Sequence, residues 1–198
     1  PPFAPADVAA AGGVTPPPRL MSINSSFEYR RGDAAYVHAG DDGAALDEPE
    51  WARAYLVAGT DHMGPVPMKD LMPVQNPPNL VPNDAVLRAL FAALEAWAAD
   101  GVAPPPSAVP RREDGTLVPA RTVLARARHL PGLTVPADEH IPAVRDLDLG
   151  PEVRDGVPRW PLAAGARHET WVAAIDDDGN EIAGIRHPLV ATPVATYL

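Results

Sequence analysis

Tyr55-Leu56-Val57-Ala58-Gly59-Thr60-Asp61-His62 is the stretch on which the reading of the fold turns. With Ala52, Arg53 and Ala54 before it, it forms a compact apolar run closed by Gly59. A strand buried on both faces of a parallel sheet reads as such a run, because neither face alternates toward water. His62 stands four residues beyond Ala58, among small residues. Loops at the carboxyl end of parallel strands are where α/β folds place catalytic groups. Taken alone, a single histidine after a strand reads more often as a surface or packing residue.

Upstream, Leu20 to Ile23 is a short apolar run that reads as a second buried strand, followed by Asn24-Ser25-Ser26-Phe27-Glu28-Tyr29. Ser25 or Ser26 can cap a helix here, with Phe27, Ala34, Ala35 and Val37 as its apolar positions and Gly32 weakening it. A carboxylate at Glu28 could hold a histidine through its Nδ1–H and stabilise the imidazolium. It could equally sit in the first helical turn and complement the helix dipole. The two strands are expected to be neighbours, which brings Glu28 within reach of His62. Asp33 is the substitute acid, and Asp61 ranks below it because it adjoins the histidine and would tend to point away. Before this unit, prolines at 1, 2, 5, 16, 17 and 18 predict an extended N-terminal segment. Gly40 to Pro49 is acidic and turn-rich.

Downstream, Gly64 to Pro82 reads as a long loop that would overhang the histidine, with Met63, Met68, Leu71 and Met72 giving the pocket its apolar lining. Val86, Leu87, Leu90, Phe91, Leu94, Trp97 and Ala98 then recur at helical spacing between an Asn83 or Asp84 cap and Gly101. Pro104 to Pro106 enforce the stop. Leu117-Val118 and Val123-Leu124 read as short strands, and residues 130 to 165 as mostly loop. Thr170 to Ile175 and Glu181 to Ile185 flank Asp176-Asp177-Asp178-Gly179-Asn180, a hairpin signal. The acidic run lacks the glycine spacing and following glutamate of a calcium loop. Trp51, Trp97, Trp160 and Trp171 read as core or interface anchors.

Composition bounds the function. The 198 residues carry 16 basic and 26 acidic side chains, for a net charge of −10. With no cationic stripe to neutralise phosphates, a nucleic-acid surface is not expected. No apolar run reaches the length of a membrane span. Zero cysteine removes disulfides, thiolate catalysis and Cys-ligated metals, and His129, His140, His168 and His187 fall in no ligand spacing. No cofactor or metal is therefore expected. The chain opens on Pro1 rather than methionine, compatible with a processed or truncated polypeptide, and its localisation is left open.

The order of strand, carboxylate, acidic connection, strand, histidine, loop and amphipathic helix matches the closing stretch of an α/β-hydrolase, where the acid and then the histidine follow late strands. Asn24 to Tyr29, Tyr55 to His62, Leu87 to Trp97 with Asp100 to Ser107, Asp114 to Val118, and Asp176 to Arg186 with Pro193 to Tyr197 resemble bacterial α/β-hydrolase-domain proteins. The matches run through nearly all of residues 22 to 197, and five in one order are more specific than any alone. The resemblance implies a serine esterase or related acyl hydrolase, with His62 as catalytic base and Glu28 as acid. The resembled proteins usually have an aromatic residue where this chain has Arg30.

The nucleophile of that reading is missing. The serines are Ser22, Ser25, Ser26 and Ser107, none in a Gly-x-Ser-x-Gly elbow. Ser107 lies in Pro-Pro-Pro-Ser and Ser22 within the expected strand. The resemblance implies a serine N-terminal to the segment matching Leu20. The expectation is thus the C-terminal portion of an α/β-hydrolase core over residues 1–103, with late parallel strands and a final helix. Residues 104–198 would be a Pro-rich, hairpin-containing extension. A second polypeptide or N-terminal segment would supply the serine and the early strands, and the substrate would be a small-molecule ester. The competing reading is a noncatalytic structural or binding subunit on a degenerate hydrolase framework.

Overall fold

The computed structural model describes residues 4–13, 15–64, 73–77 and 79–197. Strands are β1 (Leu20–Ser25), β2 (Ala52–Ala58), β3 (Leu117–Pro119), β4 (Arg145–Asp148), β5 (Ala163–Arg167), β6 (Trp171–Ala173) and β7 (Ile185–Arg186). Helices are α1 (Pro5–Gly12), α2 (Ser26–Arg31), α3 (Asp84–Asp100), α4 (Ala120–Ala127) and α5 (Pro188–Ala191). A 3₁₀ turn over Ala34–Val37 continues the chain after α2.

Among the described residues, the central sheet is parallel and three-stranded in the order β1, β2, β7. β1 and β2 pair in register from Leu20 with Ala52 to Ser25 with Val57. The other edge of β2 is occupied first by Ala108, which exchanges backbone hydrogen bonds with Ala54 and Leu56, and then by β7. β2 is the buried strand that its apolar run predicts, with Tyr55, Leu56, Val57 and Ala58 all at most 2% exposed. Leu56 and Ala58 join one core with Tyr29, Ala35 and Tyr36, and with Leu117, Val123 and Trp171 from the second half of the chain. Leu90 and Trp97 of α3 are buried, while Phe91 on its predicted apolar stripe is 62% exposed. The Trp97 ring is capped by the guanidinium groups of Arg19 and Arg53.

The structure departs from the sequence expectation in five places. Residues 5–12 are helical rather than extended, because Pro5 occupies the first turn, where its missing N–H is harmless, and an alanine-rich run follows. Val123-Leu124 lies in α4, not in a strand: Ala120, Val123 and Ala127 share one buried helical face among arginines. The expected loop between 130 and 165 contains β4 and the start of β5, an exposed antiparallel pair whose charged or small residues give no alternation to read. The hairpin turn forms, with Asp176 N–H donating to the Asn180 carbonyl, but its flanks pair only at Ile175 with Glu181. From there β6 pairs with β3 and β7 joins β2, so the two flanks serve different sheets. At the parting, Gly184 (φ 84°) lies so close to the Leu56 carbonyl that a Cβ would sit 2.6 Å from its oxygen. Of the expected tryptophan anchors, Trp160 is 86% exposed and outside the core.

His38 closes the core behind α2. The Tyr29 hydroxyl and its Nε2 share a hydrogen bond over 2.8 Å, and burial, with the Arg111 charge second, pushes its pKa down from 6.5 to about 4. His38 is thus neutral in the folded chain. Between pH 6.5 and about 4 the unfolded chain takes up the proton and the folded chain does not. The His38 contribution to stability should therefore fall by roughly 3 kcal/mol across that window and level off below it. Urea denaturation at pH 7 and pH 4.5 checks this: His38→Gln should flatten the fall, and an unchanged slope would contradict the assignment.

Candidate active site

Parallel pairing of β1 with β2 sends both chains out of the sheet at the same edge. β1 runs straight into α2, whose N-cap is Ser25. Ser25 Oγ accepts from the Phe27 N–H at 3.2 Å and donates to Glu28 Oε2 at 2.6 Å, and the Ser25 N–H donates to the same oxygen at 2.7 Å. This is a capping box, in which residue three of the helix reaches back to the cap. One Glu28 oxygen is thereby fixed, and the other is held toward the end of β2.

His62 meets it there. The imidazole Nδ1 contacts Glu28 Oε1, and the Phe27 ring lies 5.7 Å from the imidazole, centroid to centroid. Burial raises the Glu28 pKa, but hydrogen bonds from Ser25 and His62 outweigh it and hold the carboxyl below its ordinary 4.5. An ionised carboxylate only accepts, so Nδ1 carries the proton and donates. That leaves the lone pair of a neutral His62 on Nε2, which has no hydrogen-bond partner among the described residues. The side chain is 62% exposed. An imidazole oriented in this way can take a proton from a hydroxyl and return it to a leaving group.

The turn that carries His62 is anchored beneath it. Gly59 (φ 66°) turns the chain out of β2 where a Cβ would strike Val190 at 2.7 Å. Its N–H donates to both Ser26 Oγ (2.8 Å) and Glu181 Oε2 (2.9 Å), and Ser26 Oγ donates to the same Glu181 oxygen at 2.6 Å. Glu181 is 2% exposed, so a buried carboxylate ties the exits of β1 and β2 together. Thr60 Oγ1 adds a bond to the Val57 carbonyl at 2.6 Å.

The structure brings His62 and Glu28 together and leaves the substitute acids elsewhere. Asp33 pairs with Arg31 at 2.5 Å, and the Asp61 carboxylate accepts from the Met63 N–H within its own turn. Met63 is 59% exposed, and Met68, Leu71 and Met72 lie outside the described residues. Ser107 donates to Glu48 and accepts from the Ala54 N–H. The capping box was visible as Ser25-x-x-Glu28, a signal the choice between dipole partner and catalytic acid passed over. One Glu28 oxygen serves the cap and the other meets His62. Nothing local in the sequence marks Glu181, which lies 122 residues from Gly59.

Because the Ser25 hydroxyl supplies one of the bonds that lower the Glu28 pKa, Ser25→Ala, which keeps the backbone N–H, should raise it. The contribution of Glu28 to stability is present above the ordinary carboxyl pKa and lost as pH falls through its lowered value. In Ser25→Ala that loss should be smaller and complete at higher pH. A carboxyl-carbon NMR titration measures the midpoint, and an unmoved midpoint would refute the cap as the cause.

Comparison with curated proteins and with solved structures gives no match. Residues 13–198 match the family described as Alpha/beta hydrolase domain. A parallel sheet flanked by helices, with a histidine and a carboxylate meeting beyond adjacent strand ends, accords with that match. The chain belongs to the alpha/beta hydrolase domain family.

Proposed function

We propose that this hydrolase-family chain supplies the base and acid of a serine acyl hydrolase acting on small-molecule esters. The observation that carries the reading is the Glu28 to His62 Nδ1 contact on an imidazole whose side chain is 62% exposed. His62 takes the proton of an attacking serine, Glu28 stabilises the imidazolium, and His62 then protonates the departing alcohol. The serine comes from outside residues 1–198. Ser25 and Ser26 are buried and bonded to carboxylates, Ser107 is bonded to Glu48, and none of the four serines lies in a nucleophile elbow.

The same segment or partner chain would supply strands beside β1. Leu20 is 38% exposed and Phe91 62% exposed, and β1 has no outer neighbour among the described residues. An open parallel edge invites pairing. Residues 1–198 expressed alone should aggregate or fold loosely and leave p-nitrophenyl esters intact, whereas the complete protein should hydrolyse them. A monodisperse, cooperatively melting monomer of these residues would overturn the need for that partner. A stable but inactive complete protein would favour the noncatalytic subunit.

A further inference from the structure

One cavity lined by described residues does not touch the Glu28 and His62 pair. It encloses about 530 Å³ between α4, the loop over residues 130–136 and the C-terminal segment, and Leu124, Leu130, Leu133 and Tyr197 are among its walls. This volume and largely apolar lining are those of a small-molecule site. Arg30 enters the wall from α2. It follows Glu28 by two residues, about 200° around a helix, so the cavity and the imidazole lie on different sides of α2.

The polar groups of the wall are mostly spoken for. Asn76 exchanges two hydrogen bonds with the Thr134 backbone, and Asn79 donates to the Gly59 and Tyr197 carbonyls. Arg30 differs: its Nη2 is buried and makes no hydrogen bond. Its nearest acid is Glu181 Oε1 at 3.7 Å, too long for a hydrogen bond, and the other Glu181 oxygen already accepts from Ser26 and Gly59. The Arg30 side chain as a whole is 39% exposed and lines the cavity, and a guanidinium has the fork geometry to take a carboxylate.

We propose that this cavity binds a monocarboxylate with an apolar, medium-length chain, its carboxylate on Arg30 and its chain along Leu124, Leu130 and Leu133. The site goes beyond the hydrolase reading and does not require it.

Calorimetry on the complete protein with decanoate, against decanol as the uncharged probe, tests this. Decanoate should bind at one site at least tenfold more tightly than decanol. Arg30→Met should erase that preference, Leu124→Trp should block both probes, and His62→Ala should change neither. A diazirine-bearing decanoate should crosslink to residues lining the cavity, a readout on the unmutated protein should Arg30→Met fail to fold. Absence of saturable decanoate binding, equal affinity for decanol, crosslinks mapping elsewhere, or loss of binding in His62→Ala would each overturn the proposal.

Discussion

Replacing His62 with alanine in the complete hydrolase should lower kcat by about a thousandfold or more, the scale on which triad members act. Without the imidazole, nothing positioned by Glu28 can take the serine proton or return it to the leaving group. The fold should hardly notice. The side chain is 62% exposed, and substitutions at such positions usually change stability by no more than about 0.5 kcal/mol. Steady-state turnover of a p-nitrophenyl ester, with thermal melting of the same variant, separates the effects. Near-normal turnover would assign His62 to the surface. Lost turnover with a collapsed melting transition would show instead that the turn depends on it.

Glu181→Ala should produce the opposite pattern, a large loss of stability from a residue that touches no reacting atom. Its carboxylate accepts from Ser26 Oγ and the Gly59 N–H, and Arg30 lies beside it. Truncation removes the acceptor that joins the exits of β1 and β2 and leaves the Arg30 charge uncompensated. Breaking a buried charged pair by removing one member costs about 3–5 kcal/mol, and the 39% exposure of Arg30 argues for the lower end. Chemical denaturation should give roughly 3 kcal/mol. A loss under about 1 kcal/mol would mean that Ser26 alone satisfies Gly59 and the carboxylate is dispensable. Whatever activity remains should fall as well, since Gly59 sets the turn that presents His62.

Much of this was legible in the chain because the signals are local. The apolar run ending at Ala58, the Ser25 cap and the stripe bounded by Asn83 and Gly101 each specify an element through neighbouring residues. A shared sheet edge follows from two parallel strands placed side by side, and with it the approach of Glu28 to His62. What escaped depends on residues far apart. Glu181 reads as a polar position near a turn until the fold buries it against Gly59. The short strand β7 cannot be separated by pattern from a hairpin flank, because pairing with β2 is decided by close packing of Gly184 on Leu56. The β4 and β5 pair carries no apolar face to read. The N-terminal helix was hidden by weighing its prolines as a group, when Pro5 alone sits where a helix tolerates it.

The central claim is that His62 and Glu28 activate a serine lying outside residues 1–198. Labelling the complete protein with a fluorophosphonate and mapping the modified residue by mass spectrometry tests it most directly. One modified serine is expected, in a Gly-x-Ser-x-Gly setting outside these residues, with labelling lost in His62→Ala. Modification of Ser22, Ser25, Ser26 or Ser107, no modification, or labelling undiminished in His62→Ala would contradict it.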